Sequence, residues 1–146
     1  MAEVVYNSGK NLITTNTIVA GGTNLVACLL TNKTGATDPD LATMATLDAA
    51  GSVAFQNVAN RQTLTSVTKS TPGAQQNAND RIDWDAANLT FPAEAVTVLA
   101  MVIFDKTVNT DETTRIPIAF YDTGFGAGID ITGGLNVTIT DFLRLT

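Results

Sequence analysis

The chain has no histidine, one cysteine and only four serines in 146 residues. Those gaps remove most covalent and acid–base chemistry, because neither a Ser–His nor a Cys–His pair can be assembled. A zinc site would lack its ordinary ligands as well. The lone Cys28 excludes a disulfide framework. It lies in the apolar run Leu25-Val26-Ala27-Cys28-Leu29-Leu30 with nothing basic close to it in sequence, so it reads as a buried small side chain.

Charge is also scarce. Only 15% of residues are charged, and the 8 basic residues are scattered against 14 acidic ones, giving a net charge of −6. Phosphate neutralisation needs clustered Lys and Arg, so no nucleic-acid partner is expected. A neutral or basic protein surface fits better. The longest nearly apolar run, Val96 to Phe104, is far short of the roughly 20 residues of a spanning helix, and no membrane partner is expected. The N-terminus shows no charged-then-apolar leader, which predicts synthesis in a cytoplasm without export.

What the chain does have is threonine, 24 residues of it, with 45% apolar residues. A β-branched, half-polar side chain suits pleated strands with one wet face. The length fits one folded domain over residues 1–146. A surface of Thr, Asn, Gln, Ala and Gly is cheap to desolvate against a neighbour.

Along the chain, Val4 to Tyr6 reads as a short strand, followed by an irregular or one-turn helical stretch to Val19. Asn24 to Thr31 is a strand covered on both faces. Asp38 before Pro39 is a helix-start signal, and Leu41, Met44 and Leu47 make one stripe, which predicts one short helix around residues 39–47. Ser52 to Val58 is a strand or edge loop. Thr63 to Lys69 alternates, with Leu64, Ser66 and Thr68 on one face. Pro72 to Asn79 is a hairpin loop. Arg81 to Asp85 then alternates strictly, with Ile82 and Trp84 inward.

Val96 to Phe104 is the central strand, Lys106 to Arg115 a polar hairpin loop, and Ile116 to Asp122 the strand that pairs back. Gly124 to Gly128 and Gly133-Gly134 are turns, and Leu135 to Leu145 is a last strand with Val137, Ile139 and Phe142 inward. Six to eight strands at hairpin spacing predict a mainly β fold, an antiparallel, jelly-roll-like β-sandwich.

Three features could carry chemistry, and each has a plainer reading. Asp80, Asp83 and Asp85 could form a calcium or glycosidase pair but read as a solvated outer face. Gly124-Phe125-Gly126-Ala127-Gly128 lacks the helix and Lys-Ser or Lys-Thr of a phosphate loop, so it reads as a turn. Trp84 could stack on a sugar or base, yet alternates with Ile82 as a core residue does. The chain is therefore read as a non-enzyme, with no catalytic, cofactor-binding or metal-binding residue assigned and no cofactor.

A wider pattern runs through the chain. It comprises Tyr6-Asn7-Ser8-Gly9, Arg61-Gln62-Thr63-Leu64-Thr65, Asp80-Arg81-Ile82-Asp83-Trp84-Asp85, Asn88-Leu89-Thr90-Phe91 and Val98 to Phe104. Pro117-Ile118-Ala119-Phe120-Tyr121-Asp122, Thr123-Gly124, Val137-Thr138-Ile139 and Leu143-Arg144-Leu145 continue it. This resembles a group of small virion proteins of tailed bacteriophages, with residues 32–60 outside the match.

The resemblance implies a structural protein of the virion, made in the host cytoplasm. Its expected role is a capsid decoration or cement protein on the outer capsid surface, partnered by the major capsid protein and by itself as a homotrimer. Residues 1–20 would be an N-terminal arm that adds to a neighbour's sheet edge, or else pair within their own domain. The alternatives are a tail, neck or collar component and, from another class, a carbohydrate-binding or adhesive surface module.

Overall fold

Long apolar runs need cover on both faces, and the two most apolar segments lie side by side at the centre of the main sheet. The computed structural model describes residues 4–14, 24–49, 54–55, 58–69, 82–106, 114–139 and 143–145. Strand β2 (Leu25–Asn32) pairs antiparallel with β9 (Ala100–Asp105) in unbroken register from Leu25↔Asp105 to Leu30↔Ala100. Strand β10 (Ile116–Tyr121) pairs on the other side of β9, and β1 (Val4–Val5) closes that edge. The opposite edge of β2 carries two short strands, β3 (Ala54–Phe55) and β4 (Gln62–Thr63).

Side-chain alternation on these strands divides the core in two. Ala27, Leu29, Met101, Ile103 and Ala119 face one cluster, together with Leu64, Trp84, Phe91 and Ile131. Cys28, Leu30, Val102, Phe104 and Phe120 face the other, under Ala36, Leu41, Met44 and Leu47. The mainly β, antiparallel character expected from the sequence is what the fold shows.

The rest of the C-terminal half is a nested ribbon. Strand β8 (Thr97–Val98) pairs with β11 (Ile129–Asp130), β7 (Leu89–Phe91) with β12 (Leu135–Val137), and β6 (Ile82–Asp85) with β13 (Leu143–Leu145). With β9 and β10 these make four antiparallel pairs, one inside the next, so the strands from β6 to β13 form one long hairpin-like ribbon. Between Tyr121↔Met101 and Ile129↔Val98 one side of the ribbon is far longer, and Asp122 to Gly128 fill the difference. Beyond that insertion the ribbon's pairs belong to small sheets separate from the main one.

Several expectations need correction in detail. The helix over 39–47 begins later, as α2 (Met44–Ala49), because Asp38 caps a turn through Asp40 N–H while Thr43 Oγ1 accepts the Thr46 N–H. The stripe itself holds, since Leu41, Met44 and Leu47 are all buried. There is a second helix, α1 (Asn7–Thr14), where an irregular or one-turn helical stretch was expected.

The alternation over 63–69 fails. Ser66 takes a left-handed φ of 53°, which turns the chain between β4 and β5 (Thr68–Lys69) and buries both Leu64 and Val67. Val96 to Phe104 and Leu135 to Leu145 are each divided between two ladders, so there are thirteen short strands among the described residues instead of six to eight. The loop over 72–79, Phe142 and most of the 106–115 loop lie outside the described residues.

Candidate functional site

The sequence-level candidates for chemistry do not converge. Cys28 is fully buried, and burial pushes its thiol from the ordinary 9.0 up to about 12, although the positive charge of the Arg61 guanidinium pulls the other way. Asp85 is exposed and accepts the Ala86 N–H, while Asp80 and the side chain of Asp83 lie outside the described residues. Trp84 is 1% exposed and packs in the larger core cluster, where the alternation places it.

The glycine segment after β10 is a turn that leads directly into β11. Phe125 plugs into the core from it, and Gly128, at a φ of +121°, leaves no room for a side chain because a Cβ would lie 2.5 Å from Thr97 Cγ2. The Lys33–Asp122 ion pair, 2.7 Å long, ties its start to the loop after β2.

No group of three or more potential metal ligands occurs among the described residues. A shallow groove of about 180 Å³ beside β8 is lined by Ala95, Val96, Thr97, Asp130 and Thr132. With one carboxylate among those five, it offers no acid–base pair.

Two arrangements suit recognition. The first is the outer side of the ribbon, where Thr90 and Thr97 are exposed opposite Asn136 and Asp130, while Leu89, Phe91 and Val98 face the core. Thr90 Oγ1 donates to Asn136 Oδ1 at 2.9 Å across the strands. This surface is polar and mostly uncharged.

The second is the seat of the N-terminal segment. Strand β10 bulges between Pro117 and Ala119, where the missing proline N–H is tolerated. The carbonyls of Pro117 and Ile118 both turn outward: Ile118 O accepts the Tyr6 N–H at 3.0 Å and Pro117 O takes the Ser8 hydroxyl at 3.1 Å. That hydroxyl is shared with Leu41 O at 3.0 Å. The Tyr6 hydroxyl donates to Ala36 O in the core, where burial raises the phenol above its usual range.

Asn7 Nδ2 donates to Asp40 Oδ1 at 2.6 Å, and the Asn7 N–H donates to Pro39 O at 2.8 Å. A Cβ on Gly9 would lie 2.7 Å from Ile118 Cα. Residues 4–14, for which an arm and pairing within their own domain were the two expectations, are seated on their own sheet, and residues 1–3 and 15–20 lie outside the described residues. Sequence reasoning picked out Tyr6-Asn7-Ser8-Gly9 as a motif but had no means of finding its seat, whose parts come from residues 36–41 and 117–118. The chain matches no protein-family model, no curated protein and no solved structure.

Proposed function

We propose that the protein is a structural component of a tailed-bacteriophage virion, a capsid decoration or cement protein that binds the outer capsid surface as a homotrimer. It would stabilise contacts between major capsid proteins, since its binding free energy must be lost before capsomers separate. The observation that carries the reading is the outer side of the ribbon, whose Thr90, Thr97 and Asn136 offer polar contacts with little charge to desolvate. It lies over a core well suited to hold a surface rigid, with the central strands buried on both faces.

The finer fold assignment, a jelly-roll-like sandwich, is supported by the four nested pairs of the ribbon, because a jelly roll is a long antiparallel hairpin folded over on itself. The carbohydrate-binding alternative loses its stacking platform, since Trp84 is in the core. The test is the number of copies per purified virion, by quantitative mass spectrometry against the major capsid protein. A ratio of order one supports the cement role. A few to about a dozen copies place the chain at a tail, neck or collar, and absence from the particle overturns the virion reading.

A further inference from the structure

The outer side of the ribbon has one charged position in a neutral face, and a groove lies beside it. Ile131 N–H donates to Val96 O at 3.1 Å, so in the β8–β11 ladder the next pair, Thr97 opposite Asp130, is the one whose side chains stand closest. Of the outward side chains Thr90, Asn136, Thr97 and Asp130, only the last is charged. Asp130 Oδ1 accepts the Thr132 N–H at 2.9 Å, which fixes the carboxylate, and among the described residues no donor meets Oδ2. The groove of about 180 Å³ that Asp130 shares with Ala95, Val96, Thr97 and Thr132 is smaller than the roughly 300 Å³ at which small-molecule pockets begin, and no lysine or arginine lines it.

We infer that this groove receives an arginine side chain from the protein surface on which the ribbon docks. The inference rests on the reading above, in which the outer side of the ribbon is the binding face. Ala95 and Val96 give an apolar wall for the methylene stem, and Thr97, Thr132 and Asp130 a polar end for the head. A guanidinium presents its donors in a planar fork that can meet a carboxylate and two hydroxyls at once, where an ammonium is a point charge. A carboxylate already held by Thr132 loses little freedom on pairing, and a single charge in a neutral face sets where the partner sits.

N-acetylarginine amide, titrated into the isotope-labelled full chain, tests the groove with no particle present. The expected result is that amide resonances of residues 95–97 and 130–132 shift and saturate at concentrations that leave those around Asp40, an exposed carboxylate on the other side of the main sheet, unchanged. Asp130→Asn keeps the oxygen that accepts the Thr132 N–H and should abolish these shifts, while Asp40→Asn should leave them as they are. No shift at the groove, an equal shift around Asp40, or the same response to the lysine analogue overturns the inference.

Binding to purified capsids assembled without this chain separates the two readings. Asp130→Asn should bind at least about tenfold more weakly than the unmodified chain, and Asp40→Asn within about twofold of it. Equal binding of Asp130→Asn and the unmodified chain overturns the groove as an anchor and leaves the virion reading standing. Arginine binding in the groove without binding to capsids sinks the virion reading and supports the groove.

Discussion

Gly9 lies against Ile118 so closely that a Cβ at position 9 would sit 2.7 Å from the Ile118 Cα, putting α1 and β10 in contact backbone to backbone. Alanine in place of glycine inside a helix ordinarily gains about 0.5–1 kcal/mol. Here backbone would have to move, and overpacking of that kind costs about 1–3 kcal/mol. The steric term wins, so Gly9→Ala should lower stability by roughly 1–2 kcal/mol in urea denaturation. Gly133→Ala, with open space around it, should stay within about 0.5 kcal/mol of the unmodified chain.

The Tyr6 hydroxyl is the only hydrogen-bonding group that this side chain brings into the core. Tyr6→Phe keeps the ring and leaves the Ala36 carbonyl without this donor, a loss of about 1–2 kcal/mol. Tyr6→Ala also opens a cavity and should cost about 3–5 kcal/mol. Equal effects of the two substitutions, read from denaturation midpoints, would show that the ring contributes nothing to the seat.

Alkaline pH should loosen the fold. Burial raises the Cys28 thiol from 9.0 to about 12 and holds the Tyr6 phenol above its ordinary 10.0. The unfolded chain releases these protons at lower pH than the folded one, so it binds fewer protons within that window and stability falls as pH rises. Their contribution is full below about pH 9 and is lost progressively towards pH 12. Denaturation midpoints across the window should decline, and Cys28→Ala should delay the onset towards pH 10. At neutral pH a thiol reagent should modify Cys28 only at the rate at which the fold opens.

Trp84 reports on the larger core cluster. It is the only tryptophan, and at 1% exposure its emission should be blue-shifted and resist acrylamide quenching until the chain unfolds. Strong quenching in the folded protein would contradict its position and reopen the stacking alternative.

The sequence by itself determined the strands whose composition leaves no choice. Leu25 to Leu30 and Ala100 to Phe104 are too apolar to leave either face wet, so their place at the centre of a sheet follows from the hydrophobic effect. Trp84 was legible through strict alternation with Asp83 and Asp85, and the stripe Leu41, Met44 and Leu47 through its spacing. The start of α2 was less so, because Asp38-Pro39 serves a capped turn as well as a helix start, and only the contacts of residues 36–41 with the N-terminal segment distinguish the two.

Tertiary structure decided what depends on distant partners. Nothing basic adjoins Cys28 in sequence, yet the Arg61 charge acts on its thiol, because β4, which follows Arg61, pairs beside β2. The break at Ser66 follows from burying Leu64 and Val67 together, which no alternating strand can do. The seat of Tyr6-Asn7-Ser8-Gly9 likewise exists only once residues 36–41 and the bulge at Pro117 are brought together. Local composition fixes how much of a strand must be covered; which carbonyls are left facing outward, and what meets them, is settled by long-range register.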